Sequence, residues 1–367
     1  MSRLAAVARD RQFNHMPVLP SASLLRTYAE RLLVGAGLEA SKAVTVAEIL
    51  VEGDLLGHNT HGLALLPAYL TEVEKGGMRK SGEPQVVSDF PAAVTWDAGR
   101  LPGPWVVSRA IDLAMSRDPL QGTCVVVIRR SHHIGCLAAY LQRVTERGLM
   151  ALLTCSDPNV ASVAPFGGRR EVMTPDPLAA AWPTDGDPVI IDVSMSITTN
   201  GLTKRLHTEG RRFPGLWALT AAGKPTDDPG SFYTTPAGTL LPMGGVDHGH
   251  KGYALALLVE ALTGGLAGHG RADPGEGWGA TVFVQVIDPA AFGGADNFRR
   301  QSGHLATICR ENPPRPGVER VRVPGESGLR KKRAQLANGV DLHPSILPAL
   351  APWGEKLHVA FSSISQN

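Results

Sequence analysis

Cysteine is scarce in this chain, aromatic residues are few, and neither sign of charge prevails. The four cysteines among 367 residues, Cys124, Cys136, Cys155 and Cys309, form no CxxC pair. That excludes a disulfide framework or a zinc knuckle and reads as the reduced thiols of a cytoplasmic protein. An aromatic content of 5% argues against stacking platforms for bases. A formal net charge of +2, with no basic run longer than Arg330-Lys-Lys-Arg333, leaves no electrostatic case for nucleic acid. Apolar runs of the ~20 residues needed to cross a membrane are missing. Residues 1–17 carry Arg3, Arg9, Asp10 and Arg11 and lack the apolar stretch of a secretory signal. What the chain has in quantity is glycine (41), proline (28) and apolar side chains (43%). These describe a turn-rich globular protein with enough apolar side chains for a sizeable core. The length suggests two domains, or one large domain with an appendage.

Residues 1–19 read as a poorly ordered tail. Ser21 or Ser23 can cap a helix whose Leu25, Tyr28 and Leu32 share a face and which ends at Gly35-Ala-Gly37. Ser41 can cap the next, with Ala43, Val46, Ala47 and Leu50 as its buried stripe. From residue 92 the texture alternates. Strands are expected at 92–96, 123–128, 150–154, 189–193 and 281–287, and helices at 104–115, 137–147 and 253–266. That pattern predicts an α/β layer structure. Residues 201–244 read as a long Gly/Pro-rich excursion, and helices are expected near 298–311 and 341–350.

Four stretches can carry chemistry. Gly57-His-Asn-Thr-His-Gly62 follows an apolar-periodic segment and places two histidines and a hydroxyl on a loop, with Tyr69 beyond. Arg129-Arg-Ser-His-His-Ile-Gly135 follows a buried strand, where α/β proteins place reacting groups, and a histidine there can exchange protons near neutral pH. Around residues 154–179, Ser156, Asp157 and Thr174 can hold a tautomer or a cofactor amide. Gly244-Gly-Val-Asp-His-Gly-His-Lys-Gly252 precedes a long apolar helix, and free amides, helix dipole and Lys251 make an anion site suited to a pyrophosphate. A metal loop at His248 and His250 is the rival for this stretch. Gly35-Ala-Gly37-Leu-Glu-Ala40 matches the dinucleotide fingerprint but follows a helix-periodic segment, so a helix–helix corner is expected there instead.

Taken together, these stretches resemble the malate/L-lactate dehydrogenase family of the second type, which includes ureidoglycolate, sulfolactate and diketogulonate dehydrogenases and a cyclic-imine reductase. The matching pieces are Asp54-Leu-Leu-Gly-His-Asn-Thr-His-Gly62 with Pro67 and Tyr69, Ser131-His-His-Ile-Gly135, Pro165-Phe-Gly-Gly168, Leu241-Pro-Met-Gly-Gly245 and the block from His250 to Glu260. The resemblance implies hydride transfer between NAD or NADP and a small 2-oxo/2-hydroxy acid, without metal. It implies a non-Rossmann α/β (α+β) fold in a homodimer. A helical domain at 20–85, completed by 290–367, would lie beside an α/β cofactor domain at 86–289. Family roles fall on Thr60, His61, Tyr69 and His133. In the reading drawn from these residues, His61 or His133 protonates the substrate oxygen, and the other histidine, with Asp157, orients and polarises the substrate. Cofactor contacts fall on Asp192, Ser194, Ser196, Lys224, His250, Lys251, Gly325 and Glu326.

Three positions depart from the family pattern. Leu65 stands where many members carry a carboxylate-clamping Arg, Asp176 stands in place of Asn, and Asp192-Val-Ser-Met-Ser196 replaces Asp-x-Ala-Thr-Ser. These changes point to a substrate with an apolar or aromatic side chain, or a cyclic imine acid, its single carboxylate held by Arg130 or Arg169. Two alternatives come with this expectation. One is a metal-dependent hydrolase built on His58, His61, His248 and His250, and the other is a binding protein that kept the fold without turnover.

Overall fold

A computed structural model describes residues 19–273 and 275–361. All but the last residue of the tail expected over 1–19 lies outside them. Helix α1 (Ala22–Gly35) begins where Ser21 accepts the amide of Leu24 at 3.1 Å, and Leu25, Tyr28 and Leu32 are buried as their spacing predicts. Helix α2 (Ala40–Leu55) buries Ala43, Val46, Ala47 and Leu50. Its cap position is Glu39, not Ser41; Ser41 and Lys42 instead hydrogen-bond the Glu39 carboxylate at 2.7 and 2.9 Å. The GxGxxA match lies in the corner between these helices, with no strand before it. A 3-10 turn (Leu63–Leu65) leads into α3 (Leu66–Lys75), and α1–α3 share one apolar cluster with Val340, Ile346 and Leu350 from the C-terminal part of the chain.

Strands β1 (Gln85–Phe90) and β2 (Ala93–Asp97), helix α4 (Gly103–Gln121) and strand β3 (Thr123–Ser131) come next. A 3-10 turn (Leu137–Tyr140), α5 (Gln142–Thr145), β4 (Met150–Ser156), β5 (Leu178–Trp182), β6 (Val189–Val193) and α6 (Asn200–Thr208) follow. Short strands β7 (Ala218–Leu219), β8 (Pro225–Thr226) and β9 (Thr239–Leu240) form a small separate sheet. The chain continues through α7 (Gly245–Glu260), β10 (Ala280–Ile287), α8 (Ala295–Glu311), α9 (Glu326–Asn338) and α10 (Ile346–Lys356).

The main sheet has seven strands in the order β1-β2-β3-β10-β4-β5-β6. Only β2 and β3 pair in parallel; every other neighbour is antiparallel. A parallel dinucleotide-binding sheet is therefore excluded for this layer, in line with the non-Rossmann expectation. Helix α4 packs on the sheet through Trp105, Val106, Ala110 and Ile111, against Val126, Ile128, Val282 and Val284.

Four local expectations need correction. Strand β3 runs on through Arg129, Arg130 and Ser131, because it stays paired with β2 and β10 to its end. The helix expected at 137–147 is a 3-10 turn and a single α-turn. Helix α7 starts at Gly245, eight residues before the expected Tyr253. The excursion 201–244 contains most of α6 and the small sheet.

Candidate active site

Helix α2 ends on a carboxylate that organises the loop after it. The Asp54 side chain accepts the amide of Leu63 at 2.7 Å, tying the start of the 3-10 turn back to the helix. The backbone of His58 closes on Gly53 at 2.8 Å, and Gly57 takes the left-handed conformation (φ +91) that this tight exit requires. At Gly62 a β-carbon would lie 2.4 Å from the Asp54 carboxyl, so only glycine lets the loop sit down on it. Burial pushes the Asp54 carboxyl up to about 7, with the Leu63 amide, Lys331 and Arg205 opposing. The anchored loop presents Thr60 and His61, joined by a 2.9 Å hydrogen bond between Thr60 Oγ1 and His61 Nδ1.

The facing wall comes from the end of β3. His132 turns into the core against Tyr69 and Trp278, and burial drives its imidazole down to about 3, so it is neutral. His133 points the other way. Its Nδ1 lies 2.8 Å from the Tyr69 hydroxyl and accepts the Gly135 amide at 3.2 Å, while Tyr69 also donates to the His133 carbonyl at 3.0 Å. The Tyr69 hydroxyl and the Gly135 amide converge on this Nδ1 and fix the plane of the ring. Trp278 stacks on this ring at 4.4 Å between centroids. Arg100 steadies the tryptophan's segment by donating to the carbonyls of Gly77, Glu276 and Trp278.

The His61 and His133 rings lie 6.1 Å apart, nearly parallel, on a cleft of about 620 Å³. Burial lowers both imidazoles below their ordinary range. For His61 the negative charge of Asp192 works against that fall; for His133 the neighbouring imidazoles of His61 and His132 deepen it. The rest of the wall combines Asp157, Asp192, Ser194 and Thr198 with apolar Leu65 and Ile197.

Residues 21–351 match the malate/L-lactate dehydrogenase family. The chain belongs to that family. It is 32% identical over 347 residues to an L-lactate dehydrogenase of Cupriavidus necator, covering 93% of this chain and 98% of that protein. A malate dehydrogenase of Pyrococcus abyssi is 27% identical over 335 residues, with 89% and 91% covered. The fold superposes on a malate dehydrogenase of Entamoeba histolytica with a TM-score of 0.87, at 23% identity, over 93% of this chain and 98% of that one. As a member of the family the protein is an oxidoreductase acting on a CH–OH group.

Against this background the expected site residues divide into two groups. Thr60, His61, Leu65, His133, Asp157, Asp192 and Ser194 border the cleft. Tyr69 is buried behind His133, and Ser196 is buried behind Ser194 with its hydroxyl on the Thr198 carbonyl at 2.5 Å. Both oxygens of Asp157 hold backbone, the amides of Asn159 at 3.0 Å and Gly279 at 3.1 Å. Arg130 lies elsewhere: its guanidinium pairs with Asp97 at 2.6 Å beside a second cavity of about 380 Å³. Arg169 packs against Gly223, and Lys224 sits exposed at the β7–β8 turn. Gly325 abuts Ile190, and Glu326 opens α9 paired with Arg310. His250 packs on the Phe166 ring and Lys251 is exposed, both inside α7.

The anion loop expected before α7 is therefore not there, since those residues are already helical. Its glycines have a packing reason. A β-carbon on Gly252 would meet the backbone of Met243 at 2.5 Å and of Met195 at 2.7 Å. His248 and His250 are exposed on α7 outside the cleft, so they form no ligand set with His58 and His61. A different trio can hold an ion among the described residues. His58, Cys136 and Asp192 bring ligand atoms within 4.8 Å of one another, with the Cys136 thiol pushed up by burial and directed at Asp192 (3.6 Å). Trp278, Arg100 and Arg205 escaped the sequence reading, because no motif marks them.

Proposed function

We propose that the protein transfers hydride between NAD(P) and a small 2-oxo/2-hydroxy acid with an apolar side chain, or a cyclic imine acid. The observation that carries this is the pair of oriented imidazoles facing one cleft, His61 on Thr60 and His133 on Tyr69. The cleft also suits a nicotinamide. Asp192, Ser194 and Thr198 offer partners for a carboxamide and ribose hydroxyls, and the Trp278–His133 stack offers a flat wall. When bound, the nicotinamide supplies or accepts the hydride.

His61 is the residue that moves the proton. Asp192 supports its charged form, while burial, His61 and His132 all oppose that of His133. His133, neutral and held in its plane by Tyr69 and the Gly135 amide, hydrogen-bonds the substrate oxygen and polarises the bond that reacts. Tyr69 is the positioning residue that holds this ring. Leu65 borders the cleft while Leu63 and Leu66 are buried, so Leu65 supplies apolar surface to the substrate side chain. Full cover of such a side chain stabilises by roughly 1.5–3 kcal/mol.

The reading includes a homodimer, supported by the exposed apolar row Leu255, Leu257, Leu258 and Leu266 on and just after α7. It also includes a cytoplasmic location, supported by the scarcity of cysteine and the burial of Cys124, Cys136 and Cys155. No helix among the described residues is long and apolar enough to cross a membrane. A nicotinamide-absorbance assay with both cofactors over a panel of 2-oxo acids and cyclic imine acids tests the activity. Turnover of at least one such acid is expected, and none with any pair would refute the reading.

A further inference from the structure

A 2-oxo acid brings a carboxylate into the cleft, and neither Arg130 nor Arg169 is there to meet it. Among the described residues lining the cleft, one carries a permanent positive charge: Arg205, on the last turn of α6. We infer that Arg205 binds the substrate carboxylate and thereby selects 2-oxo acids over their neutral analogues. The inference rests on the 2-oxo acid reading above.

The guanidinium is held in place before any ligand arrives. Its Nη1 donates to Asn59 Oδ1 at 2.7 Å and its Nη2 to the Asn59 carbonyl at 2.9 Å. Both acceptors are neutral, and among the described residues Arg205 has no ion-pair partner. Two of its five N–H groups are thus spent and three stay available, enough for a planar, two-point grip on a carboxylate. Arg205 is half-buried, so a charge-assisted bond there is screened less than one at the surface.

Position favours the substrate over the cofactor as its ligand. The residue that holds Arg205, Asn59, is next to Thr60 and two residues from His61. The same guanidinium lowers the His61 imidazole, which places it within electrostatic reach of the proton-transfer group. Helix α6 is fastened to this corner, since a β-carbon on Gly201 would already lie 3.3 Å from Thr60 Cβ. In a 2-oxo acid the carboxylate is bonded to the reacting carbon, whereas the phosphates of a dinucleotide lie a ribose away from the reacting ring. A cation beside the proton donor therefore faces the carboxylate.

The test compares kcat/KM for a 2-oxo acid and for its 2-oxo amide, with Arg205→Met, Arg205→Lys and wild type, beside NADH and NADPH binding followed by fluorescence. Losing a two-point charged grip should lower kcat/KM for the acid by on the order of 100-fold, chiefly through KM. The amide should change little, so that the acid-to-amide ratio collapses. Arg205→Lys should recover part of the ratio, and guanidinium ion in the assay should partly rescue Arg205→Met. Equal losses for acid and amide would make the residue structural and overturn the inference. Loss of nicotinamide affinity with the ratio kept would assign the cation to the cofactor and also overturn it. If Arg205→Met does not fold, an unchanged ratio in folded Arg205→Lys and Asn59→Ala has the same force. Should wild type turn over no 2-oxo acid, the parent reading falls and this inference with it; a wild type that works while the ratio stays fixed sinks the inference alone.

Discussion

Residues 57–62 and 244–252 are written in nearly the same letters, two histidines among glycines and small polar residues, yet they have opposite surroundings. The first is a loop clamped by the buried Asp54 carboxyl and turned onto a cleft, with His61 half-buried at its wall. The second is the opening of α7, where the same residue types stand on an exposed helical face and the glycines serve close backbone packing. A histidine's chemistry thus comes from what orients and desolvates it, and the difference here is one buried carboxylate and one early helix start.

The sharpest way to break this comparison is to remove each histidine. His61→Ala and His133→Ala should each lower turnover by about the 10²–10⁴-fold that general acid–base groups contribute, with nicotinamide affinity kept. His248→Ala and His250→Ala should stay within about the ±0.5 kcal/mol of ordinary surface changes in stability and leave turnover alone. Steady-state kinetics on the four variants decides; a large loss at His248 would put α7 back in the site.

Next in size is the substrate preference. Leu65→Arg should move the ratio of specificity constants for oxaloacetate-like over phenylpyruvate-like acids by on the order of tenfold or more, the scale of one charge-assisted pair. Wild type favouring the diacid, or a ratio unmoved in a folded variant, would remove Leu65 from the substrate wall.

Glycine substitutions sharpen the contrast in a different way. Gly62→Ala and Gly252→Ala should each cost about 1–3 kcal/mol, as overpacking does, measured by denaturant unfolding. Only Gly62→Ala should also depress turnover in the folded fraction, because only there does the collision fall on the carboxyl that aims His61.

The effects of pH are smaller and have defined signs. His61 is lowered from the ordinary imidazole range, so oxidation of a hydroxy acid, which needs it neutral, should be level above roughly pH 6.5 and fall only below it. Asp54 is raised to about 7, so the folded state holds a proton that the unfolded chain has lost. Its contribution to stability is therefore full below the unfolded value near roughly 3.9 and is lost as pH rises through about 7. Asp54→Asn should flatten that part of the Tm–pH curve, and an unchanged slope would disprove the assignment. The smallest expected effect is Lys251→Ala, whose exposed ammonium should change nicotinamide affinity by no more than about the 0–1 kcal/mol of exposed charges. A tenfold or greater loss would show that a second copy brings α7 to the cofactor.

Much of the fold was legible because its signals are local. The α1 and α2 stripes and strands β2, β3, β4, β6 and β10 follow from apolar periodicity, and the helical context of Gly35 and Gly37 suffices to reject the dinucleotide fingerprint. Strand β1, with its exposed Gln85-Val-Val-Ser-Asp-Phe90, alanine-rich β5 and charged α9 carry weak local patterns and form because neighbours pair or pack with them. Helix α7 was misjudged because Gly245, Gly249 and Gly252 look like a loop until Ile197, the Phe166 ring and the backbone of Met195 and Met243, respectively, are against them.

By itself the sequence determined the family, the layer composition and the residue types of the reaction centre, since these rest on motifs a few residues long and on side-chain period. Tertiary structure alone decided which of those residues meet. The rings of Tyr69 and Trp278 meet across more than two hundred positions of chain, and the Arg205 guanidinium reaches Asn59 over 146. Such contacts arise from closing long loops around a buried sheet, and no local pattern in a single chain encodes the partner at the far end.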